Sequence, residues 1–240
     1  MDAQTTTGAD AGPPPETPAP AAARPPEDAV GRYARRGLWA LPVWAALLLA
    51  GTLTHQPDAR TDFPAYARYI TTDSFLLSHL GASILGAGIG TLGFTALAVR
   101  LAGRRPRLAL WALVAAVLGN TLITAVFGVA AFAQPAIGRA FLAGQSAAAT
   151  ALNADVYGPA LFATALPGLL LFTAGLVLFG VAVARTGDLP RWAGIGLAAG
   201  APLFAVVGFV LANAVQSAGA ALLLASTLWL AAAGQRGRSP

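Results

Sequence analysis

The sequence predicts an all-α membrane protein, a polytopic bundle of six transmembrane helices with both termini in the cytoplasm. Its 240 residues are 56% hydrophobic and only 10% charged, whereas a soluble globular domain carries roughly 25% charged residues. Much of the surface must therefore face something other than water. Apolar runs long enough to cross the roughly 30 Å hydrocarbon core as helices lie at about 38–54, 75–99, 108–132, 158–184, 192–211 and 214–233.

Arginine is distributed unevenly between the segments that flank these runs. One set of segments contains Arg32, Arg35, Arg36, Arg100, Arg104, Arg105, Arg107, Arg185, Arg191, Arg236 and Arg238, and the alternate loops contain Arg60, Arg68 and Arg139. Basic residues accumulate on the cytoplasmic side of membrane proteins. The asymmetry therefore predicts cytoplasmic termini and agrees with an even number of spans.

The stretch RLAGRRPR, between the second and third runs, concentrates four arginines in a loop too short to fold. Such loops are where the arginines that set membrane orientation lie, and anionic headgroups attract each of them by about 1 kcal/mol. We therefore assign orientation and lipid-headgroup contact to Arg100, Arg104, Arg105 and Arg107. Nucleic acid is not an expected partner, because neither an aromatic stacking platform nor a reading helix accompanies the charge.

The two ends of the chain differ in composition from its centre. Residues 1–31 are rich in Pro and Ala and poor in bulky apolar residues, which predicts a disordered cytoplasmic tail. Residues 32–234 form the predicted six-helix transmembrane domain, and residues 235–240 form a short basic cytoplasmic tail. The first tail is unlike a signal peptide, whose short basic region leads directly into its apolar segment.

Missing residue types exclude several chemistries. The chain has no cysteine, so it has no disulfide, thiolate metal site or cysteine nucleophile. It also has no lysine, which excludes Schiff-base chemistry, including that of retinal. Ionisable residues are absent from the middle of the runs, whereas catalytic and conducting membrane proteins usually carry them there. With no GxSxG, phosphate-binding loop or carboxylate pair, the sequence identifies no catalytic residue and no cofactor.

Two histidines, His55 and His79, lie near the outer ends of the first two runs, with Asp62 and Asp73 between them. Histidines and carboxylates together are ligands for zinc or another divalent cation, and two facing histidines can hold haem. The spacing matches no established metal motif. We therefore expect His79 to donate a hydrogen bond to an adjacent span, and Asp73 or Ser74 to cap the second span.

The second run carries a stripe of small residues. Steps of three and four from His79 lead to Ser83, Gly86, Gly90 and Gly93 on one helical face. Small residues at this spacing allow neighbouring helices to approach closely in lipid. We therefore expect the second helix to be the most tightly packed of the bundle, with His79 pointing into the bundle at its outer end.

Polar and helix-breaking residues occur near mid-membrane. Asn120 is the deepest strongly polar residue of the third run, and Thr124 follows one turn later. Pro167 and Pro202 each remove a backbone hydrogen bond, and interrupted helices at the midplane often hold the substrate of a transporter. One interpretation makes Asn120 an interhelical hydrogen bond of about 0.6 kcal/mol. The other makes these four residues the lining of a solute path.

The stretch between the third and fourth runs, residues 134–158, is predicted to be an outer loop. It contains one pair of charges, Arg139 and Asp155, and no tryptophan. We expect it to form a short helix that lies on the membrane surface.

The stretch TDFPAYARYITTDSFLLSHLGASILG, with the glycine-rich run and basic turn after it, resembles small multi-span membrane proteins of unknown function from high-GC bacteria. The segment DLPRWAGIGLAAG is similar to the cytoplasmic turn of six-helix proteins of this kind. The resemblance covers roughly residues 55–230. It implies a six-helix, multi-pass protein of the bacterial cytoplasmic (inner) membrane, and it implies no activity and no site.

Three functional hypotheses remain. The first is a non-enzymatic structural or accessory component that acts through contacts with a membrane-protein partner or as a homo-oligomer. The second is a small transporter or channel for an apolar or weakly polar solute. The third is a membrane enzyme, or a metal or haem binder, that uses the outer His and Asp residues. A tightly packed interior favours the first hypothesis, and a continuous polar cavity reaching mid-membrane favours the second.

Overall fold

The computed structural model describes residues 29–54, 56–207 and 213–235, and within them every regular element is helical. The α-helices are α1 (Ala29–Gly37), α2 (Ala40–Thr52), α3 (Phe63–Ile70), α4 (Asp73–Leu77), α5 (Gly86–Ala102), α6 (Pro106–Leu142), α7 (Ser146–Val156), α8 (Pro159–Ala184), α9 (Arg191–Pro202) and α10 (Asn213–Gln235). A first π segment (Ser78–Leu85) joins α4 to α5, and a second π segment (Leu203–Val207) follows α9. The predicted all-α class is confirmed for these residues. Of the two predicted tails, only residues 29–31 and 235 are described, and they belong to α1 and α10.

Four stretches of helix are long and apolar enough to cross a membrane: Asp73–Ala102, Pro106–Leu142, Pro159–Ala184 and Ala214–Gln235. They confirm the prediction of a helical membrane protein. The first and fifth predicted spans correspond to shorter helices. Helix α2 has 13 residues, or about 20 Å at 1.5 Å per residue. The fifth is the short apolar helix Arg191–Val207, and the remainder of its run lies outside the described residues.

The bundle has two chemically different ends. The arginine end comprises α1, the turn between α5 and α6, and the turn between α8 and α9. The histidine end comprises residues 53, 54 and 56–79 together with α7. At the arginine end, Gln235 Nε2 of α10 donates a 2.8 Å hydrogen bond to Arg35 O of α1. At the histidine end, Ser217 Oγ of α10 donates a 2.9 Å hydrogen bond to Thr52 Oγ1 of α2. Helices α2 and α10 therefore connect the two ends in opposite directions.

The closest helix contact pairs α6 with α8. A Cβ atom added to Gly119 of α6 would collide with the backbone of Phe172. A Cβ atom added to Gly175 of α8 would collide with the backbone of Ala116. Because these positions lack side chains, the two helices touch backbone to backbone, which is how small residues promote helix association in lipid.

The small-residue stripe of the second span packs differently. A Cβ atom on Gly90 would lie 2.7 Å from the indole of Trp44, and one on Gly93 would lie 2.7 Å from the side chain of Leu41. Gly86 faces α2 as well. The stripe thus makes room for the bulky side chains of α2. This differs from the expectation that the second span is packed most tightly, since the closest backbone approach joins α6 to α8.

Helix α6 is longer than the sequence predicts. It continues through Pro135 and has 37 residues, or about 55 Å, whereas the predicted span ends at residue 132. A Cβ atom on Gly138 would lie 2.8 Å from the Ile70 side chain of α3, and the Phe63 and Phe141 rings are 4.8 Å apart. This burial holds the extension in place although proline lacks a hydrogen-bond donor. We call α3, α7 and residues 131–142 of α6 the cap. Helix α7 is the short helix predicted within residues 134–158.

The helix N-cap residue of the second span differs from the two residues predicted. Thr72 is in the extended conformation, and its Oγ1 accepts a 3.2 Å hydrogen bond from Phe75 N. The expectation that Asp73 or Ser74 is the N-cap residue of this span is therefore wrong. Both residues lie within the first turn of α4, where the Asp73 carboxylate interacts favourably with the helix dipole.

Candidate functional site

A cavity of about 470 Å³ lies in the middle of the bundle, and we call it the central cavity. Its wall is predominantly apolar, with Trp44 from α2, Phe127 from α6, Phe162 from α8 and Phe204 from the second π segment. None of the described residues in this wall is charged. Its volume falls within the range of about 300–1,000 Å³ that small-molecule sites occupy.

A second cavity, of about 190 Å³, lies next to the first on the side of the histidine end, and we call it the polar cavity. Its hydrogen-bonding side chains are Thr52, Thr54, Gln56, Tyr69, Ser78, His79, Ser83 and Gln216. Both walls include Leu48, Ser83, Phe127, Phe204 and Gln216. The two cavities are therefore adjacent, and their surface changes from polar near the histidine end to apolar in the middle of the bundle.

Both π segments border these cavities. The first contributes Ser78 and His79 to the polar cavity, and the second contributes Phe204 to both cavities. In the first, Gly86 N donates to Gly81 O, five residues earlier, which is the π-helical pattern. Such segments are rare in α-helical proteins and occur frequently at functional sites. The two cavities thus lie beside the two segments in which a helix is locally widened to the π form.

The half-buried His79 lines the polar cavity with a defined tautomer. Its Nδ1 lies 2.9 Å from Phe75 O. Because a carbonyl oxygen can only accept, Nδ1 carries the proton and donates it, and Nε2 keeps a lone pair. No hydrogen bond reaches Nε2 from the described residues. The side chain faces the polar cavity inside the bundle, as expected, but it bonds to Phe75 of its own helix, where a bond to an adjacent span was expected.

The central cavity can be reached from the lipid-facing surface of α8. Phe162, Leu166 and Leu170 contribute to its wall, yet each of these side chains is more than half exposed. In a bilayer this surface contacts hydrocarbon, since apolar side chains of a membrane helix face the lipid. The central cavity therefore opens toward the exposed surface of α8.

Asn120 takes part in both arrangements that the sequence suggested for it. Its Nδ2 donates to Ala87 O at 2.8 Å and to Thr91 Oγ1 at 3.0 Å, which fixes α6 against α5. The side chain is only 6% exposed, and it also contributes to the wall of the central cavity. Asn120 therefore supports the helix contact that forms this part of the wall.

The other predicted path residues do not contribute side chains to the described walls of either cavity. Thr124 Oγ1 donates a 2.7 Å hydrogen bond to Asn120 O in its own helix. Pro167 lies within α8 and is exposed. Pro202 ends α9 immediately before the second π segment. Its missing N–H removes one α-helical hydrogen bond at that point.

The predicted metal ligands do not converge in the described part of the chain. His79 lies in the polar cavity, whereas Asp62 caps α3 by accepting a 2.9 Å hydrogen bond from Ala65 N. Asp73 is exposed at the start of α4, and His55 lies outside the described residues. In the part of the chain that the structure describes, no group of three or more His, Cys, Asp or Glu is placed to hold a metal ion.

The arginines of the RLAGRRPR turn bind to the next turn at the same end of the bundle. Arg100 and Arg104 donate to Oδ2 of Asp188 at 2.7 and 2.9 Å, and Arg105 donates to the backbone oxygen of Arg185 at 2.9 Å. Sequence analysis assigned these arginines to orientation and lipid contact and missed Asp188. These bonds join the two turns, while the fourth arginine, Arg107, is exposed.

The cap contains a cluster of buried polar side chains that sequence analysis also missed. Tyr66 Oη donates a 3.2 Å hydrogen bond to Asn153 Oδ1. Burial raises the pKa of Tyr66 to about 12, and burial together with the nearby Tyr66 raises the pKa of Tyr157 as well. Gln134, beside Tyr157, is 4% exposed. These residues are far apart in sequence, so no local pattern could have revealed the cluster.

The adjoining cavities are the candidate site, although no motif in the sequence pointed to them. Their walls are assembled from eight separate helical elements, and most of the side chains are ordinary apolar or hydroxyl groups. Comparison of the chain with protein-family models, curated proteins and solved structures finds no match. The functional conclusion therefore depends on the chemistry of the two cavities.

Proposed function

We propose that this protein binds and transports an apolar or weakly polar solute within its helix bundle. The observation that carries this proposal is the central cavity of about 470 Å³. Of the hypotheses from the sequence, a packed structural component predicts a filled interior, and a transporter predicts a continuous polar cavity that reaches mid-membrane. The cavity differs from the expected polar path in being apolar at mid-bundle, and that difference selects a lipophilic solute.

The proposal includes six spans, with the arginine end in the cytoplasm of a bacterial cell and the protein in its cytoplasmic (inner) membrane. Support comes from α2, which runs from the arginine end to the histidine end beside the full-length α10. The concentration of arginine at one end gives the orientation. A reporter fused at Gly158 is expected outside the cytoplasm and one at Pro240 inside; the reverse at either position contradicts this topology.

Binding is tested with Trp44 as an internal reporter, because its indole contributes to the central cavity. The other tryptophans, Trp39, Trp111, Trp192 and Trp229, are each 45% exposed or more, so all four are replaced by Phe. 1-Bromododecane, a quencher of indole fluorescence, is then added to the protein in nanodiscs. We expect quenching that saturates and that unlabelled dodecane reverses.

Two variants distinguish the cavity from the surrounding lipid. Ala165→Phe places a ring in the central cavity, since Ala165 contributes to its wall, and should abolish the saturable quenching. Ala163→Phe makes the same change on the exposed side of α8 and should leave quenching unchanged. A protein with Trp111 as its sole tryptophan reports only partition into lipid. Non-saturable quenching of Trp44 would overturn the proposed function.

A structural or accessory role is the second candidate, and the glycine contact between α6 and α8 favours it. Gly119 and Gly175 place two helix backbones against each other, which gives a rigid scaffold for a membrane-protein partner or a second copy. A bundle that fails to bind lipophilic probes yet purifies at a defined oligomeric size supports this role over transport.

A further inference from the structure

We propose that the solute is a neutral amphiphile, bound with a hydroxyl-like head in the polar cavity and a hydrocarbon chain in the central cavity. This inference rests on the proposed function, because it specifies the ligand of the same site. It goes beyond that function by fixing the chemical class of the ligand and its orientation.

The polar cavity offers a head group both acceptors and donors. His79 Nε2 has a lone pair and no hydrogen bond from the described residues, so it can accept from a hydroxyl. Gln216 lies where the two cavities meet, and its amide both donates and accepts. A hydroxyl has one donor hydrogen and two acceptor lone pairs, so it can donate to His79 Nε2 and accept from an amide such as that of Gln216.

The absence of charged residues from the described walls favours a neutral head group. Among their described residues none is Asp, Glu, Lys or Arg. An ionised carboxylate, phosphate or ammonium group would therefore find no counter-charge in either wall, and withdrawing an ion from water without one costs far more than withdrawing a hydrogen-bonded hydroxyl. The clustered arginines hold Asp188 at the opposite end of the bundle and do not reach this cavity.

The arrangement of the two cavities fixes the orientation of the chain. Trp44 borders the central cavity, whereas Thr52, eight residues later on α2, borders the polar cavity. That separation is about 12 Å along a helix axis, comparable to the length of a medium hydrocarbon chain. Because Ser83 and Gln216 belong to both walls, one ligand can occupy both cavities.

The orientation is tested with two bromododecanols in nanodiscs, using the protein that retains only Trp44. The bromine of 12-bromododecan-1-ol is at the chain end, and that of 2-bromododecan-1-ol is beside the head. We expect both to bind saturably, with stronger quenching at saturation by the chain-end bromine. Equal quenching, or stronger quenching by 2-bromododecan-1-ol, overturns the orientation.

The head group is tested by charge and by mutation. At pH 8 the ionised 12-bromododecanoate is expected to bind at least tenfold more weakly than the alcohol; equal binding overturns the requirement for a neutral head. His79→Leu should weaken binding of 12-bromododecan-1-ol about fivefold, the contribution of one hydrogen bond of ordinary net strength. Binding of 1-bromododecane, which has no hydroxyl, should remain unchanged in this variant.

The outcomes separate the two proposals. If 1-bromododecane gives no saturable quenching, the proposed function fails. If 1-bromododecane binds saturably but the alcohol binds no tighter, or binds in the opposite orientation, the proposed function stands and the amphiphile inference fails. Gln216→Leu provides a second test of the head-binding site should His79→Leu not fold, and it should weaken binding of the alcohol and not of the bromoalkane.

Discussion

Toward the arginine end, α8 lies between α6 and α9 with glycine against backbone on both sides. Gly175 faces the backbone of Ala116, and a Cβ atom on Gly180 would lie 2.5 Å from the Gly194 carbonyl oxygen. Toward the histidine end, the same helix presents Phe162 to the central cavity. One apolar helix thus closes the bundle in one half and borders an open space in the other.

Both halves of α8 are apolar, so the difference depends on which residues face the neighbouring helices. Glycine removes the side chain and lets backbones touch. Aromatic side chains and widened π segments keep the helices apart around the cavities. Hydropathy therefore predicts that a helix lies in the membrane, and residue size on one face predicts whether that part of the helix is packed or open.

The largest expected effect concerns the close contact between α6 and α8. Gly119→Ala forces a Cβ atom against the Phe172 backbone, and overpacking of this kind costs about 3 kcal/mol when backbone must move. The matched control is Gly128→Ala in the same helix, where an added Cβ meets nothing within 4 Å. Thermal unfolding in detergent measures both, and equal midpoints for the two variants would contradict the close contact between α6 and α8.

The next effect concerns the open half. Ala165→Phe fills part of the central cavity, and cavity-filling substitutions commonly raise the free energy of unfolding by about 1 kcal/mol. The variant is therefore expected to unfold at a higher temperature than the wild type while losing its saturable binding. Ala163→Phe, on the exposed side of α8, should change neither property. A lower midpoint for Ala165→Phe would show that the cavity does not accept a ring.

A smaller effect is expected at the arginine end. Asp188→Asn removes the carboxylate that accepts from Arg100 and Arg104. These side chains are partly exposed, so the loss should be about 1 kcal/mol or less. It should shrink further as salt concentration rises, because salt screens exposed charges. Urea unfolding at low and high salt measures it; a loss that salt does not change argues against an ion pair.

The smallest effect at neutral pH concerns the cap, where stability depends on pH only in the alkaline range. Burial raises the folded-state pKa of Tyr66 to about 12 from its usual value of 10.0. Above pH 10 the unfolded state therefore binds fewer protons than the folded state, and stability falls as pH rises toward 12. Tyr66→Phe should reduce this fall, and Tyr33→Phe, at an exposed residue, should not. An alkaline profile identical in both variants would contradict the burial of this hydroxyl.

Much of the helical pattern was predictable from apolar runs and their flanking residues. The fourth run, 158–184, corresponds to Pro159–Ala184, and the sixth, 214–233, to Asn213–Gln235. The third run was predicted too short. Hydropathy falls at Gln134 and Pro135, whereas contact with α3 keeps the backbone helical to Leu142. Long-range burial of this kind leaves no local signal.

The candidate site was predictable only in fragments. Asn120 was singled out as a polar residue deep in a span and His79 as a possible metal ligand, and both contribute to cavity walls. The cavities themselves depend on how far apart eight elements lie, and a π segment is built from the same residue types as an α-helix. Sequence periodicity therefore cannot distinguish Ser78–Leu85 from ordinary helix, and it does not reveal the partner that Asp188 provides for the arginines.

The backbone contact between α6 and α8 has a consequence for how this sequence can evolve. At Gly119 and Gly175, even the smallest substitution places an atom inside the neighbouring helix, so drift at one of them requires a simultaneous change opposite it. Cavity-lining positions such as Ala165 and Val206 face open space and accept larger or smaller side chains one at a time. Descendants of this chain are thus free to change the shape of the central cavity gradually while inheriting the same pair of helices almost unaltered.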